Sequence, residues 1–512
     1  MKKHSKKIFA ALALILALAC ALTACAPAAA SSGNAESKAS EAPVSSKAEE
    51  KPVTLKYINY GAKPDTGNCD GIWDAVNEIL LRDLNCTMEV EYLGSGDKSQ
   101  IALKYAGNEK FDFSYMAYWW GYDDLANNNA FHELTMNELK QYAPYMVDNL
   151  PDIAWKQASV NGKIYMLPNI QFEYTRVCPI YRGDLLEKYG MSELQTMDDL
   201  EKYMELVANN EKDLEVIKTE FLSALWFFYK QNFFDSIWTF NYADAAKSEY
   251  IYAPFEEAYL DYAKKMRSFY EKGIIDANSI NDTTPQNDKF KNGLSAVTAH
   301  NWGTVNRLAL EINKEHPEWK VKIFNPYKGA PTYTGKFTGN GFVINRTSDH
   351  PTKAIEVVNH IYESVELQKL LNFGVEGVDY EMKDGKLYTI ADVPEDKKAT
   401  IGCNWNTGNQ LVKETFVVQE YYEGVRDILD DFEKNTVSHP LMAFTFDKTD
   451  VETEVANMSA VEKEYTALDY GMIADVDAAV AEYRAALKAA GYDKVKAEYD
   501  RQVKEFMATY NN

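Results

Sequence analysis

The chain has 512 residues, 77 of them acidic and 54 basic, and a formal net charge of −23. A chain so acidic is a poor match for a phosphate backbone, which excludes nucleic acid as a partner. Its apolar share is 46% and its mean hydropathy −0.41, as in soluble globular proteins. Past the amino end, no stretch approaches the roughly 20 apolar residues that a membrane-spanning helix needs.

The amino end reads as a sorting signal. Lys2, Lys3, Lys6 and Lys7 form a positive start, and Ile8 to Leu18 is an apolar run too short to span a bilayer. Leu22-Thr23-Ala24-Cys25 has the pattern of a lipobox. Residues 1–24 are therefore expected to be a lipoprotein signal peptide, and Cys25 the lipidated first residue of the mature chain. Cys20 is a rival site, but Ala17-Leu18-Ala19 fits the pattern less well. Each buried methylene contributes about 0.8 kcal/mol, so two acyl chains hold a protein where one does not. The tether 25–52 follows, rich in Ala, Ser, Glu, Lys and Pro and without an aromatic. Such a segment cannot offset its ordering entropy and is expected to be disordered.

The remaining body, about 460 residues, is long enough for two sizeable lobes. Val53 to Tyr60 reads as a strand ending at Gly61. Ile72, Val76, Ile79 and Leu80 recur at helical spacing within Ile72 to Leu84. Thr87 to Leu93 alternates Met88, Val90 and Tyr92 as a second strand, Lys98 to Ala106 reads as a helix, and Phe111 to Met116 as a third strand. This alternation predicts a parallel α/β sheet, whose ligands sit beyond the carboxyl ends of its strands. Tyr60-Gly61 and Ala117-Tyr118-Trp119-Trp120-Gly121-Tyr122 lie at those ends. Body cysteines Cys69, Cys86, Cys178 and Cys403 form no CxxC pair, so a zinc or thioredoxin-like reading has no support, and no metal or cofactor is assigned. A Cys69–Cys86 disulfide and four isolated thiols both remain open.

Several segments, in order, resemble extracellular solute-binding proteins of family 1. Phe111-Asp112-Phe113-Ser114 resembles their third strand. Asn129-Ala130-Phe131-His132-Glu133-Leu134-Thr135 is similar to their turn into a helix. Val160-Asn161-Gly162-Lys163-Ile164-Tyr165-Met166-Leu167-Pro168 is similar to the signature that precedes their crossover between lobes. Tyr181-Arg182-Gly183-Asp184-Leu185-Leu186 and Phe290-Lys291-Asn292-Gly293-Leu294-Ser295-Ala296-Val297 resemble two second-lobe segments. His439-Pro440-Leu441-Met442-Ala443-Phe444-Thr445-Phe446-Asp447 and the helical text after it resemble a subgroup with a carboxy-terminal domain of unknown function.

The resemblance implies a two-lobed periplasmic-binding-protein-like α/β fold of type II, with a hinge of crossing strands and a helical carboxy-terminal region. Lobe 1 is expected at 53–170 plus about 330–380. Lobe 2 is expected at 171–329 plus about 381–512. The implied protein is a monomeric lipoprotein on the extracytoplasmic face of the cell membrane. It captures a small-molecule ligand, an oligosaccharide by this reading, for the permease subunits of an ABC importer, and catalyses nothing.

Aromatic residues make up 13% of the chain, including 34 Tyr and 9 Trp. A sugar ring has a C–H face that an aromatic ring covers and a hydroxyl rim that Asp, Asn, Glu and Arg bond. Trp119 and Trp120, with Tyr122 in the same segment, are first candidates, with one of the two indoles facing the ligand. Trp302, after a strand at Leu294 to Ala299, and Asn404 with Trp405, in Asn-rich text, are others. Tyr60 and Asn340 come from the resemblance alone. Trp226 reads as core. A peptide ligand would need end partners such as Asp123, Asp124 and Arg176. A glycan-acting enzyme is the rival of another class, but HExxH and GxSxG are absent, His132 belongs to a turn and His300 reads as structural.

Overall fold

The computed structural model describes residues 51–65, 67–94, 98–174, 176–229, 237–239, 249–390, 393–394, 396–437 and 439–510. The signal segment, Cys25 and the tether up to residue 50 lie outside the described residues. Among those described, no helix is long and apolar enough to cross a membrane.

The first sheet grows from the alternation seen in the sequence. Strand Val53–Asn59 pairs in parallel with Cys86–Tyr92 on one side and with Phe113–Met116 on the other. Helix Cys69–Leu84 covers the sheet with Ile72, Val76, Ile79 and Leu80 buried, the face read from their spacing. Two further strands come from later in the chain. Gly341–Ile344 runs antiparallel to Phe113–Met116 and carries Met166–Pro168 on its far edge. The order second, first, third, late strand, fourth is the type II arrangement. The hairpin before the crossover turns at Asn161-Gly162, where both residues have positive φ, 52° and 77°. That backbone is the primed turn whose twist matches paired strands, and it favours Asn-Gly.

The second sheet is separate. Val177–Tyr181 runs antiparallel to Ser295–Asn301 and to Lys322–Ile323, and Glu215–Ile217 lies parallel to Ser295–Asn301. Helix Met197–Asn210 starts on a capping box, in which Thr196 and Asp199 satisfy each other's backbone N–H groups. Trp226 is buried at 3% exposure and donates its indole N–H to Glu201, as a core residue. The carboxy-terminal helices Glu452–Glu464, Val476–Ala490 and Tyr492–Tyr510 join this second core through Met458, Val480, Tyr483, Leu487 and Val495.

Packing divides the chain later than the sequence reading did. Ala399 and Ile401 belong to the first core. Tyr380, Leu387, Val412 and Phe416 form a small cluster against Tyr145 and Phe373. Residues 381–416 therefore pack with the first lobe rather than the second. Hairpin Tyr380–Lys383/Lys386–Thr389 sets this cluster, a long-range contact with no periodic signal. The chain crosses between lobes around 169–176, 325–336 and 417–424. The backbone bridge Tyr174–Thr334 ties the first two passages together, and Thr332–Thr436 ties the second to the segment after helix Val425–Lys434. All four body cysteines are free, so Cys69 and Cys86 are separate thiols.

One half-buried acid, Asp469, sets a pH dependence. Tyr259 donates its hydroxyl to Asp469 at 3.5 Å, and burial pushes the Asp469 carboxyl up to about 6. Between its ordinary value near 4 and that value, the native state keeps a proton the unfolded chain has released. Stability contributed at this site is thus present at low pH and lost as pH rises from about 4 to 6. Asp469→Asn is expected to flatten that loss and to raise the melting temperature at pH 7.5 by about 2–4 °C. Scanning calorimetry at pH 4.5 and 7.5 checks this; identical pH slopes for the two proteins would refute it.

Candidate functional site

A cavity of about 1150 Å³ lies between the lobes and takes its wall from both. Its first-lobe side is an aromatic cluster at the carboxyl ends of the strands. Tyr60 follows the first strand. Its ring centroid is 5.4 Å from Trp119, 5.0 Å from Trp120 and 5.7 Å from Trp405. Tyr115, in the third strand, meets Trp405 edge-on at 5.7 Å. Trp119 and Trp120 sit in a tight turn, Tyr118–Trp120, not on extended chain. With about three residues per turn, successive side chains there splay widely. Trp119 is 43% exposed and Trp120 only 3%. Trp405 is 37% exposed, with its centroid 6.2 Å from that of Trp119. The cluster thus presents two indoles to the cavity on a buried aromatic base.

Each indole is held by backbone. Trp119 donates its ring N–H to the Gly339 carbonyl at 2.7 Å, which ties its turn to the turn Phe337–Gly339, just past a crossing segment. The Trp405 turn, Asn404–Thr407, is pinned by buried amides. Asn406 donates to Asn59 Oδ1 at 3.0 Å and to the Tyr60 carbonyl at 3.3 Å. Asn169 donates to the carbonyls of Trp405 and Asn406 at 3.2 and 3.1 Å, and Gln368 to that of Thr407 at 2.8 Å. Gly61 lets this loop close in, because a Cβ there would stand 2.6 Å from Cys403 Sγ. Asn340 accepts from the Tyr115 hydroxyl at 2.7 Å and donates to Gln171 at 3.1 Å. Asn404 donates to the Asn372 carbonyl at 2.9 Å.

The second-lobe side is more polar. Asn287, His300, Asn301, Thr304 and Arg307 line it, with Phe221 among them. Asn301 caps helix Trp302–Glu315 by accepting from the Thr304 N–H at 2.9 Å. His300 lies edge-on to Phe221, 4.9 Å between centroids, and its Nδ1 accepts from the Asn301 N–H at 2.8 Å. Burial holds its pKa below the usual imidazole value, so the ring is neutral at pH 7.

Charged groups on the wall meet opposite charges. Asp124 pairs with Lys448 at 2.5 Å and Arg307 with Glu311 at 3.0 Å. Burial raises the Asp123 carboxyl, and Lys336 nearby counters it. Arg176 is buried, donates to the Pro331 carbonyl at 2.9 Å and lies over the Tyr327 ring. It is therefore not a free partner for a peptide carboxylate. Among the described residues, no cluster of three or more His, Cys, Asp or Glu is arranged to hold a metal.

Of the residues singled out in the sequence, Trp119, Asn340, Asn404 and Trp405 line the cavity. Tyr60 packs beneath the two indoles. Trp120 and Tyr122 are corrections, since both are buried. Tyr122 stacks on Phe131 and donates its hydroxyl to the Ala158 carbonyl at 2.5 Å, because it opens helix Tyr122–Asn127 on that helix's inner face. Trp302 is half-buried at its helix start, and the wall there is made by Asn301, Gly303 and Thr304. The sequence reading missed Tyr118, Phe221, Phe446 and Tyr499 as wall residues. The alternation Phe444-Thr445-Phe446 in non-helical text after Pro440 was a usable signal for one of them.

Residues 440–508 match the domain of unknown function DUF3502. A carbohydrate ABC transporter substrate-binding protein of Streptococcus pneumoniae serotype 4 is 26% identical over 524 residues, covering 99% of each chain. Two solved structures of the N-glycan transport solute binding protein NgtS from Streptococcus pneumoniae share the fold. The complex with Man1GlcNAc has a TM-score of 0.71 at 20% identity, covering 90% of this chain and 100% of that one. The complex with Man5GlcNAc has a TM-score of 0.68 at 21% identity, covering 90% and 99%.

The amide cluster under Trp405 yields a direct test. Asn406→Ala removes two buried hydrogen bonds and is expected to cost about 1–3 kcal/mol of unfolding free energy. It should also shift tryptophan emission to the red as the loop loosens. Urea titration followed by fluorescence measures both, and an unchanged midpoint would contradict the pinning role.

Proposed function

We propose that this chain, a two-lobed solute-binding protein ending in DUF3502, captures an oligosaccharide between its lobes and delivers it to the permease of an ABC importer. The observation that carries the reading is the pair of exposed indoles, Trp119 and Trp405, at one wall of an interlobe cavity of about 1150 Å³. Indole faces cover the C–H sides of sugar rings, and the amides and hydroxyls of Asn287, Asn301 and Thr304 suit the hydroxyl rims. The cavity wall carries three acids, Asp123, Asp124 and Glu173, against three bases, Arg307, Lys336 and Lys448, and this balance favours a neutral ligand. The likeness to a carbohydrate transporter's binding protein, and to one solved with N-glycan fragments, supports the same class.

Function then follows from two states. A ligand that touches both lobes gains contacts only when they close, so it shifts the population toward closure by its differential affinity. The permease reads the closed form. Cys25, lipidated after removal of residues 1–24, anchors the chain at the extracytoplasmic face of the membrane, and the tether to residue 52 gives the body reach. The body acts as a monomer and binds without turnover.

A thermal-shift and calorimetric screen tests this with Man1GlcNAc, Man5GlcNAc, other neutral glycans and short peptides. At 100 times Kd, a ligand adds about 2.7 kcal/mol to stability, which raises the melting temperature by several degrees. Trp119→Ala and Trp405→Ala are each expected to weaken glycan binding about tenfold or more, with the glycan recovered intact. A shift with peptides and none with glycans would overturn the carbohydrate assignment; glycan cleavage would overturn binding without turnover.

A further inference from the structure

We infer that the carboxy-terminal domain forms part of the binding site itself, as a second aromatic subsite for the outer rings of an oligosaccharide. This deepens the oligosaccharide reading and rests on it. Phe444, Phe446, Lys448 and Tyr499 line the cavity, and all four lie within residues 440–508.

The subsite is rigid by construction. Phe446 and Tyr499 stack with centroids 3.7 Å apart and planes 15° apart. Tyr499 stacks its other side on Trp238, 4.2 Å away at 12°. Leu441, Met442 and Phe444 hold the segment in a small core with Tyr250 and Val503. The same segment reaches the first lobe. Gln157 donates to the Met442 carbonyl at 3.3 Å, Asn161 donates to Asp447 at 3.3 Å, and Lys448 pairs with Asp124 at 2.5 Å. The domain is thus anchored on the second lobe while its first residues touch the first.

Two aromatic sets therefore share one cavity. The first is built on Trp119 and Trp405, the second on Phe446, which Tyr499 backs on its inner side. Asp123, Asp124, Lys336 and Lys448 line the same cavity and supply polar groups beside both. A chain of sugar rings has the matching pattern, C–H faces in succession joined by hydroxyl-bearing edges. The cavity, about 1150 Å³, exceeds the roughly 300–1,000 Å³ of pockets that enclose drug-sized ligands. A disaccharide seated on Trp119 and Trp405 leaves the second set unused, whereas a longer or branched glycan covers both. The domain accordingly selects for ligand length.

Calorimetry on the full chain with Man1GlcNAc and Man5GlcNAc tests the assignment. Phe446→Ala is expected to weaken Man5GlcNAc about tenfold and to leave Man1GlcNAc within twofold. Phe446→Tyr should restore wild-type affinity, and Trp405→Ala should weaken both glycans. Phe446→Leu keeps the apolar volume without the aromatic face, so it should mimic the alanine variant at unchanged melting temperature even where alanine impairs folding. If the wild type binds Man5GlcNAc but the alanine and leucine variants bind it equally well, or lose both glycans alike, the inference falls and the oligosaccharide reading stands. Binding of Man1GlcNAc alone by the wild type also overturns the inference. If the wild type binds neither glycan while peptides raise its melting temperature, both fall.

Discussion

Asn169 and Asn406 fasten the loop that carries Trp405 to the end of the first strand. Both are almost wholly buried, as is Asn59, the third amide of the group. Each bond between them counts because a buried amide without partners costs more than its hydrogen bonds return, although Asn59 Nδ2 and Asn406 Oδ1 find none among the described residues. Asn169 lies at the start of the first crossing segment, Asn59 ends a core strand and Asn406 sits beside a cavity indole. One set of hydrogen bonds thus joins sheet, hinge and cavity wall. Trp119 is tied to Gly339 by the same logic, in the turn just past the second crossing segment. The aromatic wall of the first lobe is therefore fixed with respect to the hinge as well as to its own sheet.

What the sequence disclosed follows from the range of each signal. Helix Cys69–Leu84 and the strands around it were legible because burial of Ile72, Val76, Ile79 and Leu80 on one side, and alternation through Met88 to Tyr92, are local patterns. The end of the sheet that borders the cavity was legible too, since parallel strands place their carboxyl ends together. The orientation of neighbouring tryptophans was not. It depends on the tight turn at Tyr118–Trp120, which no periodicity announces. Residues 381–416 went to the wrong lobe because a two-stranded hairpin packing on Tyr145 and Phe373 is a contact between distant segments. Phe446 and Tyr499 were passed over for a related reason. They lie 53 positions apart and become a single surface only once helix Tyr492–Tyr510 folds back beside the extended segment.

Charge makes a similar point at the level of the whole molecule. A net charge of −23 concerns solubility and says little about the cavity, where three acids stand against three bases. Local pairing decides what the cleft accepts, and there the strongly acidic chain is close to balanced.

The bridged crossing segments have a mechanical consequence. Two lobes joined by one linker are free to twist, bend and slide. Here the passages near residues 170 and 330 are laced together by Tyr174–Thr334, and the second is tied by Thr332–Thr436 to the segment after helix Val425–Lys434. Lacing of this kind leaves rotation about a single axis as the soft motion, like a door on several hinge pins. Few degrees of freedom then have to be frozen when the lobes meet. Less of the ligand's interaction energy is consumed in ordering the protein, and more of it is expressed as affinity.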